Sequence, residues 1–232
     1  MEIIPALMPK DFSTLEAELL RVAELVPLVQ LDVLDGVFVK NTSWPYGDEK
    51  HFAHMVKSRH GLPYGDKLEY EVDLMVSEPE HVIEDWMHLG VRRIIVHVES
   101  TSNIENIIRD VAAHVTRATD DALEVVSLGL AIGTTTPIEK IEPYIYDIDF
   151  VQCMGIAEIG KQGEPFDERV IGQIEKLKRL HPELIVSVDG GVSLETAPRL
   201  LEAGASRLVS GSAILGSDNP AYVIKKLRAL SS

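Results

Sequence analysis

Apolar residues fall into two alternating rhythms along this chain. Short runs rich in Val, Ile and Leu, such as Leu28-Val-Gln-Leu-Asp-Val33 and Ile185-Val-Ser-Val-Asp189, are separated by segments whose apolar positions recur every three to four residues. The first rhythm belongs to buried strands and the second to amphipathic helices, so the chain reads as repeated strand-helix units feeding a parallel sheet. Strands are predicted near 2–8, 28–33, 68–76, 92–98, 125–132, 149–155, 184–189 and 207–211. Helices are predicted near 12–25, 48–60, 79–89, 103–118, 138–144, 167–180, 194–203 and 219–229. Asp11 is placed to cap the first helix, and Ser193 with Thr196 opens the one that Gly204 closes.

Eight such units in 232 residues match the size of an α/β chain closed into a single (β/α)8 barrel of the TIM type, one domain over residues 1–232. A doubly wound open sheet would carry the same alternation, but no Gly-x-Gly-x-x-Gly follows the first strand. Two longer loops, near 36–50 and 155–166, follow strands and therefore belong to the face of a barrel where chemistry is done.

Charge narrows the partners. A formal net charge of −15 opposes nucleic acid and anionic membrane surfaces, and Lys161 and the run Lys176 to Arg179 are too scattered to form a basic patch. A small phosphorylated ligand stays open, because backbone N–H groups bind phosphate without lysine. The lone Cys153 sits in an apolar run and reads as strand core rather than nucleophile. Met1-Glu-Ile-Ile-Pro5 has no signal-peptide pattern and no later stretch approaches a membrane span, so a cytoplasmic location is expected.

Side chains alternate along a strand, which groups the polar positions by face. Gln30 and Asp32 share one face, Glu69, Glu71, Asp73 and Met75 another, and Ser187 and Asp189 a third. Asp32, Asp73 and Asp189 each stand near the carboxyl end of a strand, where barrel side chains reach the mouth. Acids brought together there need a cation among them or must keep protons; for Asp73, capping a loop or pairing with a basic side chain stands equally open. Asp189-Gly190-Gly191 and Ser210-Gly211-Ser212 supply glycine turns after the last two strands, the place where barrels of this type cradle phosphate on backbone N–H groups and helix starts.

These segments together resemble the ribulose-phosphate 3-epimerase family, nearly end to end. Its carriers are Leu31-Asp-Val-Leu-Asp-Gly-Val-Phe-Val-Lys-Asn41, Asp73-Leu-Met-Val76 with Pro79, His97-Val-Glu99, Gly129-Leu-Ala-Ile132 with Thr136-Pro137, Met154 with the loop to Phe166, Asp189-Gly-Gly191 and Gly211-Ser-Ala213. The resemblance implies a ribulose-phosphate-binding barrel with Met75 and Met154 lining the pocket. It also implies a divalent metal held by two His and two Asp, the two Asp acting as acid and base on either face of the sugar's C3. Asp32 and Asp189 match those acids. Gln30 and Asp73 stand where the two His are expected, Ala6 where a Ser is, and Leu34 where a Met is; the 155–166 loop lacks a Pro-Gly step. A site of Gln30, Asp32, Asp73 and Asp189 offers only oxygen, which favours Mg²⁺ or Mn²⁺ over Zn²⁺.

The activity implied is that of a sugar-phosphate epimerase working by proton abstraction beside a carbonyl, through a metal-stabilised enediolate, in a chain that self-associates. An epimerase for another ketose phosphate is one alternative; a catalytically silent barrel that senses a sugar phosphate or assembles with a partner is another. A decarboxylase or aldolase of the same barrel group would need a Lys in Asp32-Val-Leu-Asp35, which has none. His97, at a strand end, is open between substrate contact and a core position; the other histidines lie in or beside predicted helices and read as packing or surface residues. Trp44 and Tyr46 are expected to form a lid or a subunit contact.

Overall fold

The computed structural model describes residues 1–117 and 125–231. Eight strands close a barrel in simple order, every neighbouring pair parallel: β1 Glu2–Leu7, β2 Leu28–Leu34, β3 Glu69–Met75, β4 Arg93–His97, β5 Ser127–Ile132, β6 Phe150–Met154, β7 Ile185–Asp189 and β8 Arg207–Ser210. The helices are α1 Phe12–Val22, α2 Glu49–Ser58, α3 Ile83–His88, α4 Ile104–Arg117, α5 Arg169–Leu180, α6 Ala197–Ala203, α7 Ser212–Leu215 and α8 Pro220–Arg228. None of the described helices is long and apolar enough to cross a membrane.

All eight strands lie within about two residues of their predicted limits, because continuous Val/Ile/Leu runs mark strands buried on both faces. Helices depart more. In place of a helix at 138–144 the chain makes two single 3₁₀ turns, Ile138–Lys140 and Glu142–Tyr144: Pro143 has no N–H, so an α-helical ladder cannot pass it. The helix expected at 79–89 starts as a 3₁₀ turn, Pro79–His81, before α3. Residue 118, the predicted end of the fourth helix, lies outside the described residues. α1 ends at Val22, three residues early, and α6 begins at 197 because Ser193 and Thr196 are spent on a turn in which the Thr196 hydroxyl accepts the Ser193 N–H at 3.0 Å. The α1 cap is as expected, with Asp11 Oδ1 accepting the Thr14 N–H at 2.8 Å, and Gly204 closes α6 at φ +112°, where a Cβ is disfavoured. α7, a single turn after β8, had no periodic signal to announce it.

The main core lies between barrel and helices, where outward-facing strand residues such as Leu31, Val72, Ile94, Leu130, Val151, Val188 and Leu208 are buried. Cys153 belongs to this layer, and burial pushes its thiol up to about 12, which removes it as a nucleophile at neutral pH. Trp44 is also here. It is fully buried and packs edge-on against Phe52 and Trp86, so it is neither lid nor exposed contact; Tyr46 packs partly buried against the same layer.

Inside the barrel, the amino-end floor is a charged cluster. Arg93 donates to both oxygens of Glu2 at 3.0 Å and to Glu71 at 3.4 Å; Arg207 pairs with Glu2 at 3.0 Å and lies 4.6 Å over the Phe150 ring. Burial pushes Glu71 up to about 7, against the pull of Arg93 and Arg207. Above this floor, Ile95, Ala131 and Phe150 fill one layer, and the mouth begins.

Candidate active site

The strand register brings the polar positions together. Asp32 of β2 pairs directly with Asp73 of β3, and Gln30 with Glu71 one step lower; Met154 of β6 pairs with Asp189 of β7. Asp32, Asp73 and Asp189 are all buried, and each offers an oxygen within 4.8 Å of the others. Such convergence follows from the barrel: inward positions of neighbouring strands stack in layers, so one polar residue per strand at one height makes a ring.

Gln30 ties two of the acids. Its Nε2 donates to Asp32 Oδ1 and to Asp189 Oδ2, both at 2.8 Å, while its Oε1 is buried and unpartnered. Asp73 is held from the other side, its Oδ1 by His97 Nε2 and its Oδ2 by Gln152 Nε2, each at 3.0 Å. Both readings of Asp73 as a loop cap or a partner of Lys or Arg are set aside by this: it sits in the ring, and its partners are an imidazole and an amide.

The electrostatics follow from burial. Asp32 is raised well above the usual carboxylate range by burial first, then by the charges of Asp189 and Asp73, with the Gln30 hydrogen bond pulling back. Asp189 is raised too, by burial and the Asp73 charge, against hydrogen bonds from Gln30 and the Gly190 N–H. For His97, burial disfavours the charged form, but the charge and hydrogen bond of Asp73, then Glu99 and Asp189, outweigh it and raise the imidazole. A proton is therefore retained somewhere in this ring at neutral pH.

Beside the acids opens a cavity of about 390 Å³, lined by Ala6, Met75, Met154, Asp32, Asp189 and the turns after β7 and β8. Gly190 and Gly191 both take positive φ, +91° and +66°; a Cβ on Gly191 would stand 3.0 Å from the Gly155 carbonyl oxygen and 2.9 Å from Phe166. Among the described residues none accepts a hydrogen bond from the N–H of Gly191, Gly211 or Ser212, which leaves these donors available at the cavity wall. The helix contribution is smaller than the sequence suggests, since α7 is one turn long and seven loop residues, 190–196, separate β7 from α6.

The two long loops meet over the mouth. Asn41 Nδ2 donates to the Gly160 carbonyl at 2.9 Å, and Leu34, Val39 and Met75 pack with Met8, Phe38 and Ile159 as an apolar collar. Sequence reasoning missed Gln152, although a lone amide in the apolar run Phe150-Val-Gln-Cys-Met154, two residues before Met154 and on its face, was the available signal. It also missed Gln162, whose amide lies over Gly211 and donates to the Ala6 carbonyl at 3.3 Å.

Residues 2–215 match the model of the Ribulose-phosphate 3 epimerase family. The chain is 32% identical to the ribulose-phosphate 3-epimerase of Schizosaccharomyces pombe, covering 98% of this chain and 92% of that one. It is 29% identical to the Bacillus subtilis protein of the same name, covering 98% of each. Among solved structures, a 3-hexulose-6-phosphate synthase superposes with a TM-score of 0.66 over 99% of both chains at 19% identity, a likeness of fold.

Proposed function

Because the chain belongs to the ribulose-phosphate 3-epimerase family, we propose that it inverts C3 of a ketose phosphate, with Asp32 and Asp189 as the two proton-transfer groups. The observation that supports this most is the shared Gln30 amide, which holds both carboxylates at the edge of a cavity sized for a pentose phosphate. One acid takes the C3 proton beside the carbonyl, leaving an enediolate; the other returns a proton to the opposite face. Two acids in different protonation states are needed for this, and burial plus mutual repulsion keeps one of them protonated near neutral pH.

The phosphate rests on the backbone N–H groups of Gly191, Gly211 and Ser212, with Gly190, whose N–H bonds Asp189, shaping the turn, while Met75 and Met154 give the sugar's carbon skeleton an apolar wall. Glycine at 191 lets the chain approach closely where a side chain would collide with Gly155 and Phe166. Ribulose 5-phosphate is the first substrate to test. Ala6 lines the cavity, and the 155–166 loop lies over it, where the resemblance leads one to expect a Ser and a Pro-Gly step, so a related ketose phosphate is the second.

The ring fits a divalent cation. Three buried carboxylates are an all-oxygen donor set, suited to Mg²⁺ or Mn²⁺ rather than Zn²⁺, and the unpartnered Gln30 Oε1 would join them if the amide turned. Asp32, Asp73, Asp189 and Gln30 would hold it, and it would neutralise the acids and draw charge from the substrate's oxygens. His97 and Gln152 keep Asp73 aimed into the ring.

The test is proton NMR of ribulose 5-phosphate in D₂O with Mg²⁺ or Mn²⁺. Deuterium entering at C3, and lost in Asp32→Asn, supports the proposal. Tight binding of the sugar phosphate without exchange would instead identify a silent, ligand-sensing barrel.

A further inference from the structure

Gln30 bridges two acids of the ring in an orientation that a cation would not tolerate. Its NH₂ group spends both hydrogens on Asp32 and Asp189, at 2.8 Å each, and its carbonyl oxygen is left buried without a partner. A side-chain amide is nearly symmetric in shape, so half a turn about its last bond exchanges nitrogen and oxygen in the same space. The turned amide would aim its oxygen at two acids of which at most one carries a proton, so at least one contact is repulsive unless a cation sits among them. The orientation of Gln30 and the occupancy of the ring are thus linked.

We infer that Gln30 is a positioning residue with two working orientations: NH₂ toward Asp32 and Asp189 when the ring holds no cation, and carbonyl oxygen toward them when it does. The inference rests on the reading of the three carboxylates as a cation site and adds a device that keeps the acids assembled in its absence. A single imidazole at this position could not do the same. It carries one ring nitrogen toward the acids, whereas the amide presents two hydrogens or two lone pairs to them from one atom. Asp73 needs no such device, since His97 and Gln152 already occupy both of its oxygens. Two consequences follow. The cation-free protein keeps its mouth geometry, and a cation entering must displace two hydrogen bonds, which weakens its binding.

The test uses the full chain, its Gln30→Glu variant, which keeps the shape but offers only oxygen, and Gln30→Met, which offers neither donor nor acceptor of strength. The Gln30 side-chain ¹⁵N–H signals, assigned by their loss in Gln30→Met, are followed in EDTA and at saturating Mg²⁺. Slow-exchanging NH₂ hydrogens in EDTA that shift and lose protection with Mg²⁺ support the inference; signals indifferent to saturating Mg²⁺, or no Mg²⁺ binding by calorimetry, overturn it. Thermal unfolding supplies a second readout. Gln30→Glu should melt about 5 °C or more below the wild type in EDTA and recover most of that with Mg²⁺. Its Mg²⁺ affinity should be about tenfold tighter. Gln30→Met should lose stability equally in both conditions. If Gln30→Glu behaves like Gln30→Met, the amide is ordinary packing and the inference fails. None of these readouts involves turnover: an inactive protein whose Gln30 amide turns with Mg²⁺ overturns the proposed epimerase reading alone, and an active one whose amide stays still overturns only the two orientations.

Discussion

The barrel buries charge at both ends, and the two ends handle it differently. At the floor, Glu2 and Glu71 face Arg93 and Arg207, two carboxyl groups and two guanidinium groups joined by contacts of 3.0 to 3.4 Å. At the mouth, Asp32, Asp73 and Asp189 meet no lysine or arginine among the described residues; they are held by the amides of Gln30 and Gln152 and by His97. A cluster that balances itself is complete and serves the fold. One rich in carboxyl groups with no guanidinium or ammonium to balance them, beside an open cavity, has room for a ligand to complete it, and that asymmetry supports reading this end as the site.

Removing one charge from each end should give opposite results. At the mouth, Asp189→Asn relieves repulsion, so the melting temperature should hold or rise, while C3 exchange falls by about 10²–10⁴-fold. Asp32→Asn should behave likewise. Exchange surviving in either variant, read by NMR in D₂O, would detach the mouth from the chemistry. At the floor, Arg93→Met leaves Glu71 buried beside a lost partner, with one of its oxygens already unpartnered, and should cost about 3 kcal/mol of stability by denaturant unfolding. Below its lowered melting temperature, the exchange rate of that variant should stay within about threefold of the wild type. A catalytic loss without a stability loss there would break the division of labour.

The ends also differ in how much of them the sequence disclosed. Strand ends and parity were legible, because buried parallel strands leave apolar runs and the barrel fixes which face points inward; that placed Asp32, Asp73 and Asp189 in one ring. What joined them was not legible. Gln30 suggested an oxygen ligand, yet its nitrogen faces the acids, since orientation of an amide depends on neighbours from β7 that adjoin it only after closure. Gln152 reaches Asp73 across the barrel from β6 for the same reason, while His97 comes from the neighbouring β4. The floor cluster joins residues from β1, β3, β4 and β8, and nothing local announces that Glu2 will meet Arg207. Trp44, in a loop after a strand, looked like a lid and turned out to fill the layer behind the barrel with Phe52 and Trp86.

Proton linkage distinguishes the ends on a finer scale. Glu71 is raised from 4.5 to about 7, so the folded chain keeps a proton there that the unfolded chain has released. Its contribution is present at the acid end of that window and lost as pH rises through about 7, with a slope of up to about 1.4 kcal/mol per pH unit. Asp32 and Asp189, also raised, act in the same direction. Glu71→Gln should therefore remove one proton's share of the slope between pH 5 and 7, as should Asp189→Asn, but only the second should change the pH dependence of exchange. Equal effects of both on exchange would show that the two clusters titrate as one.

The smallest expected effect tests whether the mouth selects its ligand by space as well as charge. A Cβ on Gly211 would stand 2.6 Å from the Gln162 amide nitrogen, 3.0 Å from its Cδ and 3.3 Å from the Ala6 carbonyl. Gln162 is an exposed loop residue whose hydrogen bond to Ala6 is long, 3.3 Å, so it can withdraw. Gly211→Ala should then cost under about 1 kcal/mol of stability. Gly191→Ala cannot relax in that way, because its neighbours include the Gly155 backbone and its φ is +66°. With the fold intact, the new methyl at Gly211 stands at the wall where phosphate would rest on backbone N–H groups, and should raise KM for the sugar phosphate several-fold, about 1 kcal/mol, at constant kcat. A change in kcat with KM unmoved would mean that Gly211 faces the reacting carbons, and that the phosphate lies elsewhere along the cavity.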